Sequence, residues 1–156
     1  MKNLAKKLLR KIRGCPFCKW KALKHEVFYE TQSFICIYNI RPVFEGHALI
    51  IPKRHIESIL KMSEYEIEEL PSVIKLAMVV LKKAYKAQGF NVVLQEGMAA
   101  GATIKHLHFH ILPRHKGDIP PHTEWEEYFH QHESKRRMLT KEEIAKEVRK
   151  ITKLLP

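Results

Sequence analysis

No run of about 18 apolar residues occurs in the 156-residue sequence, so no segment reads as a membrane-spanning helix. Met1 to Arg13 lacks the continuous apolar centre of a secretory signal, and the expectation is a soluble, cytoplasmic protein without membrane association. Cysteine is scarce. Three residues cannot build a disulfide framework, which points to reduced thiols and, for the close pair Cys15 and Cys18, a metal or redox role. Cys36 stands in an apolar run and is expected to be buried and inert. Glycine is sparse, at six residues, and with the many Lys and Glu residues this is compatible with heat adaptation. There is no internal repeat, no low-complexity tract and no linker between two cores, so residues 1–156 are read as a single domain.

Acidic residues are outnumbered, 17 against 28 basic ones, for a formal net charge of +11. An anionic partner such as a nucleotide, polyphosphate or nucleic acid would suit this charge. Much of the excess, however, sits in Lys2, Lys6, Lys7, Arg10, Lys11, Arg13 and Lys135 to Arg137, where it can serve solubility alone.

Leu4, Leu8 and Ile12 recur at helical spacing and predict a short basic helix over 1–13, packed on the domain or docked on a membrane surface. Val27 to Tyr29, Phe34 to Tyr38 and Gly46 to Ile51 read as three strands of an antiparallel meander, the last stopping at Pro52. Ser63 and Glu66 form a capping box before a long helix, which Pro71 should kink or split and Gly89 should end. Phe90 to Leu94 and His106 to Leu112 supply two further strands. Thr140 and Glu143 cap a C-terminal helix with Ile144, Val148 and Ile151 facing inward. The fold class is therefore α+β: an antiparallel sheet of about five strands, one long central helix and a C-terminal helix. Between Pro113 and Leu139 no periodicity is legible, as expected of a functional loop.

His106, His108 and His110 alternate with Leu107, Phe109 and Ile111. On a strand the three imidazoles would share one face, spanning roughly 13 Å at ~3.3 Å per residue, with the apolar residues anchoring the other. Taken alone, this row points to chemistry of some kind, to a three-histidine zinc site with an open position, or to a set of satisfied structural rings.

His106-Leu107-His108-Phe109-His110-Ile111-Leu112 resembles the motif of the histidine triad (HIT) superfamily of nucleotidyl hydrolases and transferases. Asn39 to His55 resembles its upstream nucleotide segment, and Gln95-Glu96-Gly97 through Gly101-Ala102-Thr103 its loop into the triad. Gln95, Thr103 and the Lys105-His106 junction look closest to the fragile-histidine branch, whose members cleave dinucleoside polyphosphates. The resemblance implies a HIT-like fold with its core over 15–118, followed by a C-terminal loop and helix over 119–156.

It also implies that His108 attacks the α-phosphorus and forms a nucleotidyl-histidine, with a backbone carbonyl fixing its tautomer. His110 would donate to phosphate oxygens or the leaving group, and His106 completes the catalytic triad. Gln95 and Thr103 would add neutral donors, Asn39 would meet ribose, Ile37 and Leu49 would wall the base pocket, and His47 would lie near the phosphates. For Ile37 and Leu49 ordinary core packing competes, and for His47 a strand-start hydrogen bond. Arg114 would steer a polyphosphate tail or cap the strand end, and Trp125 would approach that tail or lie under the loop.

Cys15 and Cys18 are half of a tetrahedral zinc site, or a pair of free thiols beside the turn at Pro16. Relatives with such a pair complete it with the His of a Pro-Lys-x-His segment and the first triad His, here His55 and His106. The resemblance thus implies a structural zinc on Cys15, Cys18, His55 and His106, which the fragile-histidine branch itself usually lacks. A divalent cation could accompany the substrate. A homodimer paired through the long helix and a sheet edge is expected. The rival activities are a phosphoramidase or a nucleotidyl transferase. A rival of another class is a nucleotide sensor or nucleic-acid-associated module, suggested by the basic ends, although nucleic acid is not the expected partner.

Overall fold

A computed structural model describes residues 14–124, 127–129 and 136–156. The basic helix expected over 1–13 and the role expected of Trp125 fall outside the described residues. Five strands form one antiparallel sheet in the order β1-β2-β3-β5-β4: β1 Val27–Glu30, β2 Phe34–Tyr38, β3 Ala48–Pro52, β4 Gly89–Leu94 and β5 Phe109–Arg114. Two helices complete the frame, α1 Glu64–Tyr85 and α2 Lys141–Thr152. The α+β class, the meander of β1 to β3 and both capping boxes agree with the sequence reading. Among the described residues no helix is long and apolar enough to cross a membrane.

The central strands β2 and β3 are buried at every position because both sheet faces are covered. Phe34, Cys36, Tyr38, Ala48, Ile50, Phe109 and Ile111 point into a core shared with Leu70, Val73, Ala77, Val80 and Leu81 of α1 and Ile151 of α2. Ile35, Ile37, Leu49 and Ile51 point the other way, onto Cys15 and Phe17 of the N-terminal segment, where Phe17–Leu23 winds as a 3-10 helix. Cys36 is fully buried as expected, and burial pushes its thiol up to about 12.

Four boundaries differ from the sequence reading. The last strand begins at Phe109 and not at His106, because the groups that would extend its ladder are engaged elsewhere. The Leu107 N–H donates to the Ile56 carbonyl (2.7 Å), and the His106 carbonyl accepts from the His108 ring (2.7 Å). The third strand begins at Ala48. Gly46 stands in a turn at φ +83°, where a Cβ would lie 2.6 Å from the Tyr85 ring and 2.9 Å from Pro113. The long helix ends not through Gly89 but through Lys86, in left-handed conformation at φ 55°, and Gly89 opens β4. Finally, Pro71 does not split α1; its exposed ring costs one internal hydrogen bond and the helix runs through it.

The start of α1 is tied to the rest of the fold by one carboxylate. Glu66 is buried, accepts from the Ser63 N–H (2.7 Å), and takes both Nε (3.2 Å) and Nη2 (2.7 Å) of Arg54. The Arg54 guanidinium, helped by Ser63, holds this carboxyl below its usual range despite burial. Its contribution to stability is therefore complete above the ordinary carboxylate pKa and is lost as pH falls through the lowered folded value. Glu66→Ala should cost roughly 1–3 kcal/mol at neutral pH, and the difference from wild type should shrink on acidification; urea unfolding across pH checks both. Equal losses at every pH would refute the assignment.

Candidate functional site

On the face opposite the helices lies a cavity of about 380 Å³. Of the residues singled out in the sequence, Ile37, Asn39, Leu49, Thr103, His108 and His110 line it. The register explains the grouping: Ile37 pairs with Leu49 and Leu49 with His110, so one row of side chains crosses three strands. Gln95, just beyond β4, does not line the cavity, and neither does the His106 side chain. Arg114 is engaged away from it, with both Asp118 oxygens (2.7 and 2.8 Å), with Asn91 and over the Phe44 ring at 4.5 Å. It closes the strand end, and a polyphosphate-steering role has no support in its position.

Backbone groups fix the protonation of the imidazoles. A carbonyl oxygen only accepts, so His108 Nδ1, 2.7 Å from the His106 carbonyl, carries the ring proton and Nε2 keeps the lone pair. His106 Nε2, 2.8 Å from the Pro52 carbonyl, likewise carries a proton and leaves its Nδ1 free. The third case runs through two rings. Val43 N–H donates to His47 Nδ1 (3.2 Å), so His47 Nε2 carries the proton and donates to His110 Nδ1 (2.9 Å). His110 must then hold its own proton on Nε2. That buried atom has no hydrogen-bond partner among the described residues, a cost that a ligand acceptor would remove.

Burial lowers the basicity of all four rings. It takes His110 to about 3, with the neighbouring His108 and Arg136 contributing, and His106 to about 4, while His47 is held well below its ordinary value. His108 is lowered too, partly offset by the His106 carbonyl. The set is neutral at pH 7. Asn39 is fixed beside it: its Oδ1 accepts from the Arg41 N–H (2.9 Å), which turns Nδ2 towards the His47 ring.

Several lining residues were not foreseen: Phe17, Glu26, Arg41, Ile104, Phe129 and Arg136. Phe129 stands edge-on to His110 at 5.4 Å, and the Arg136 guanidinium lies 5.2 Å over Phe129. These two arrive from the aperiodic segment after β5, which offers no spacing signal. Glu26 carried no such signal either: it precedes Val27, the register partner of Ile37, and strand alternation would turn it to the other face.

A second cluster lies behind the triad. One ligand atom each from Cys15, Cys18, His55 and His106 falls within 4.8 Å of all the others. The Cys15 and Cys18 sulfurs stand 3.3 and 3.6 Å from His106 Nδ1, and Cys18 lies 3.0 Å from His55 Nδ1. His55 Nε2 faces the Glu57 carboxylate at 3.8 Å. Two thiols and two imidazoles, with the His106 lone pair already directed inward, can bind a metal.

Comparison with known proteins agrees with this geometry. The HIT domain family profile matches residues 21–117. A bis(5'-nucleosyl)-tetraphosphatase [asymmetrical] of Schizosaccharomyces pombe is 33% identical over 94 residues, 60% of this chain and 52% of its own length, so the chain spans about half of that relative. A bis(5'-adenosyl)-triphosphatase of Dictyostelium discoideum is 28% identical over 84% of this chain and 86% of its own. The crystal structure of a histidine triad nucleotide-binding protein from Sulfolobus tokodaii superimposes with a TM-score of 0.73 at 33% identity, covering 90% of this chain and 91% of that one. With its three alternating histidines inside the span that the profile matches, the chain belongs to the HIT domain family.

Proposed function

We propose that the protein is a nucleotidyl hydrolase that cleaves dinucleoside tri- or tetraphosphates at the α-phosphate through an adduct on His108. One observation carries this reading: a ring whose proton is held by a backbone carbonyl, leaving a lone pair, sits two residues from a ring whose buried N–H has no partner among the described residues. That is a nucleophile beside an oxyanion donor. The activities named for the fission yeast and Dictyostelium relatives favour the same substrate class.

In this reading His108 Nε2 attacks the α-phosphorus, a P–N bond forms, and the bridging P–O bond breaks with its electron pair leaving on the nucleoside polyphosphate. The positive charge that develops on the ring is met by the His106 carbonyl. His110 Nε2–H donates to a non-bridging oxygen, held in direction by His47. Water then attacks the same phosphorus and gives up a proton to solvent, the P–N electrons return to His108 Nε2, and a nucleoside monophosphate leaves. Ile37 and Leu49 flank the base, Asn39 the ribose, and Thr103 with Arg41 and Arg136 the phosphates. Wild type should release nucleoside monophosphate from diadenosine tri- and tetraphosphate, and His108→Ala should lose roughly a thousandfold or more in kcat/KM. Equal turnover by both proteins, resolved by chromatography, would remove His108 from the reaction.

The metal cluster is proposed to hold a structural zinc, which would cross-link the N-terminal segment, the chain after β3 and the approach to β5. Purified protein should contain about one zinc per chain, and cobalt in its place should give thiolate charge-transfer bands. Chelation or Cys18→Ser should lower the melting temperature by several degrees, because binding to the folded state alone stabilises it. Protein that takes up no metal from excess zinc would refute the site.

Homodimerisation belongs to the same proposal. The edge strand β4 leaves Val92 45% exposed and α1 leaves Val79 44% exposed, apolar surface that a second copy would cover.

A further inference from the structure

The cavity has two chemically different ends, and the sheet measures the distance between them. Val27 pairs with Ile37, Ile37 with Leu49, and Leu49 with His110. At ~4.8 Å between neighbouring strands, Ile37 lies roughly 10 Å from His110 and the start of β1 roughly 14 Å away. Glu26 lines the cavity at this far end, beside Leu23 and Ile37. Its backbone is held on both sides: its N–H donates to the Leu23 carbonyl (2.7 Å) and its carbonyl accepts from the Tyr38 N–H (2.9 Å).

A carboxylate here is out of place by packing criteria. Glu26 is 7% exposed, and burial alone lifts its carboxyl to about 7. Among the described residues its side chain meets His25, whose Nε2 stands 3.4 Å from Oε1. The α1 carboxylate Glu66, equally buried, takes four hydrogen bonds. A largely buried carboxyl that lines a ligand cavity loses water when a ligand fills that cavity, and is then either a cost to binding or a group that takes donors from the ligand.

We propose that Glu26 reads the Watson–Crick edge of the bound base and makes the cavity selective for guanine over adenine. The inference rests on the nucleotide reading given above. Paired N–H donors from a ligand favour the ionised form against the effect of burial, and an ionised carboxylate offers two parallel acceptors and no donor. Guanine presents two adjacent donors, N1–H and the 2-amino group, and meets it in bidentate fashion. Adenine presents one donor, its 6-amino group, next to the N1 lone pair, which the second oxygen repels. Cytosine repeats the adenine pattern, and uracil places its N3–H between two carbonyls. Guanine alone supplies paired donors, and these also restore the solvation that burial removes from the carboxylate. A site that hydrogen-bonds one ligand discriminates against the analogue that leaves its polar groups unpaired.

The test uses the ligand and the protein in turn. Calorimetry on wild-type protein with GMP, IMP and AMP should give affinities in that order, with GMP at least about tenfold tighter than AMP, the scale of one bidentate base contact. IMP, which lacks only the 2-amino group, should fall between them; this comparison needs no variant to fold. In Glu26→Gln the side chain gains a donor and loses an acceptor, matching adenine, so the GMP to AMP ratio should fall by about tenfold or invert. A merely structural role for Glu26 would weaken both nucleotides alike and leave the ratio unchanged. AMP binding as tightly as GMP to wild type, a ratio that Glu26→Gln does not move, or no binding of either nucleotide would overturn the proposal. Cleavage of diguanosine and diadenosine tetraphosphate is measured in parallel. Selective GMP binding without cleavage of either would defeat the hydrolase reading and leave base selection standing, while equal cleavage with an unmoved ratio would do the reverse.

Discussion

The hydrogen bond between the His106 carbonyl and His108 Nδ1, 2.7 Å long, is the contact on which the rest of the site depends. It decides which nitrogen of the central ring carries the proton, and so which carries the lone pair. The contact forms only because residues 106–108 leave the ladder: a regular strand would send that carbonyl across to β3. His106 then serves in two directions. Its carbonyl orients the ring of His108, while its side chain, protonated against the Pro52 carbonyl, turns a lone pair towards the two cysteines. On the proposed reading, whatever holds the His106 side chain also holds the carbonyl in front of the nucleophile. The metal cluster and the reactive ring are thus linked through a single residue without sharing a ligand.

Covering both faces of the sheet sets the electrostatics. With α1 and α2 on one side and the N-terminal segment on the other, the four imidazoles lie in a poorly solvated layer, where the neutral form is favoured. Neutral rings suit both parts of the proposed chemistry. A nucleophile needs its lone pair, and a neutral N–H donor gains strength in a low dielectric without the cost of burying a cation. The order in which protons are assigned, from Val43 through His47 to His110, makes that donor a property of the fold and independent of solution pH over the neutral range.

Much of this was legible in the sequence because it depends on period and spacing. Alternation placed Leu107, Phe109 and Ile111 in the core and the histidines opposite, and that parity holds even though the strand starts three residues later than expected. The capping boxes at Ser63 and Thr140 are local patterns that need no tertiary context. Boundaries set by competition were not legible. Lys86 adopts the left-handed conformation that Gly89 was expected to supply, since the chain must turn into β4 before Gly89 is reached. Pro71 lies on the exposed side of α1, where losing one hydrogen bond is cheap compared with the buried face it helps to present. Phe129 and Arg136 reach the cavity from a segment without periodicity, so only the folded chain reveals them. Arg114 shows the converse: its position next to the triad suggested a role towards substrate, but Asp118, four residues on, claims its guanidinium.

The distribution of charge within the cavity gives it a direction. Of 28 basic residues, the lining includes Arg41 and Arg136, and Arg136 lies over Phe129, which packs against His110. The acidic member of the lining, Glu26, stands at the opposite end, beyond Ile37. On the proposed reading, a nucleotide entering this field is sorted before any close contact forms. Its phosphates would be drawn towards the guanidinium side and repelled from the carboxylate, while its base, neutral and flat, would be left to the apolar walls of Ile37 and Leu49. The overall charge of +11 can raise the local concentration of any polyanion, but it carries no orientation. Orientation requires opposite charges held apart by a rigid spacer, and here the spacer is the hydrogen-bonded sheet from β1 through β2 and β3 to β5, whose register fixes the distance to His110.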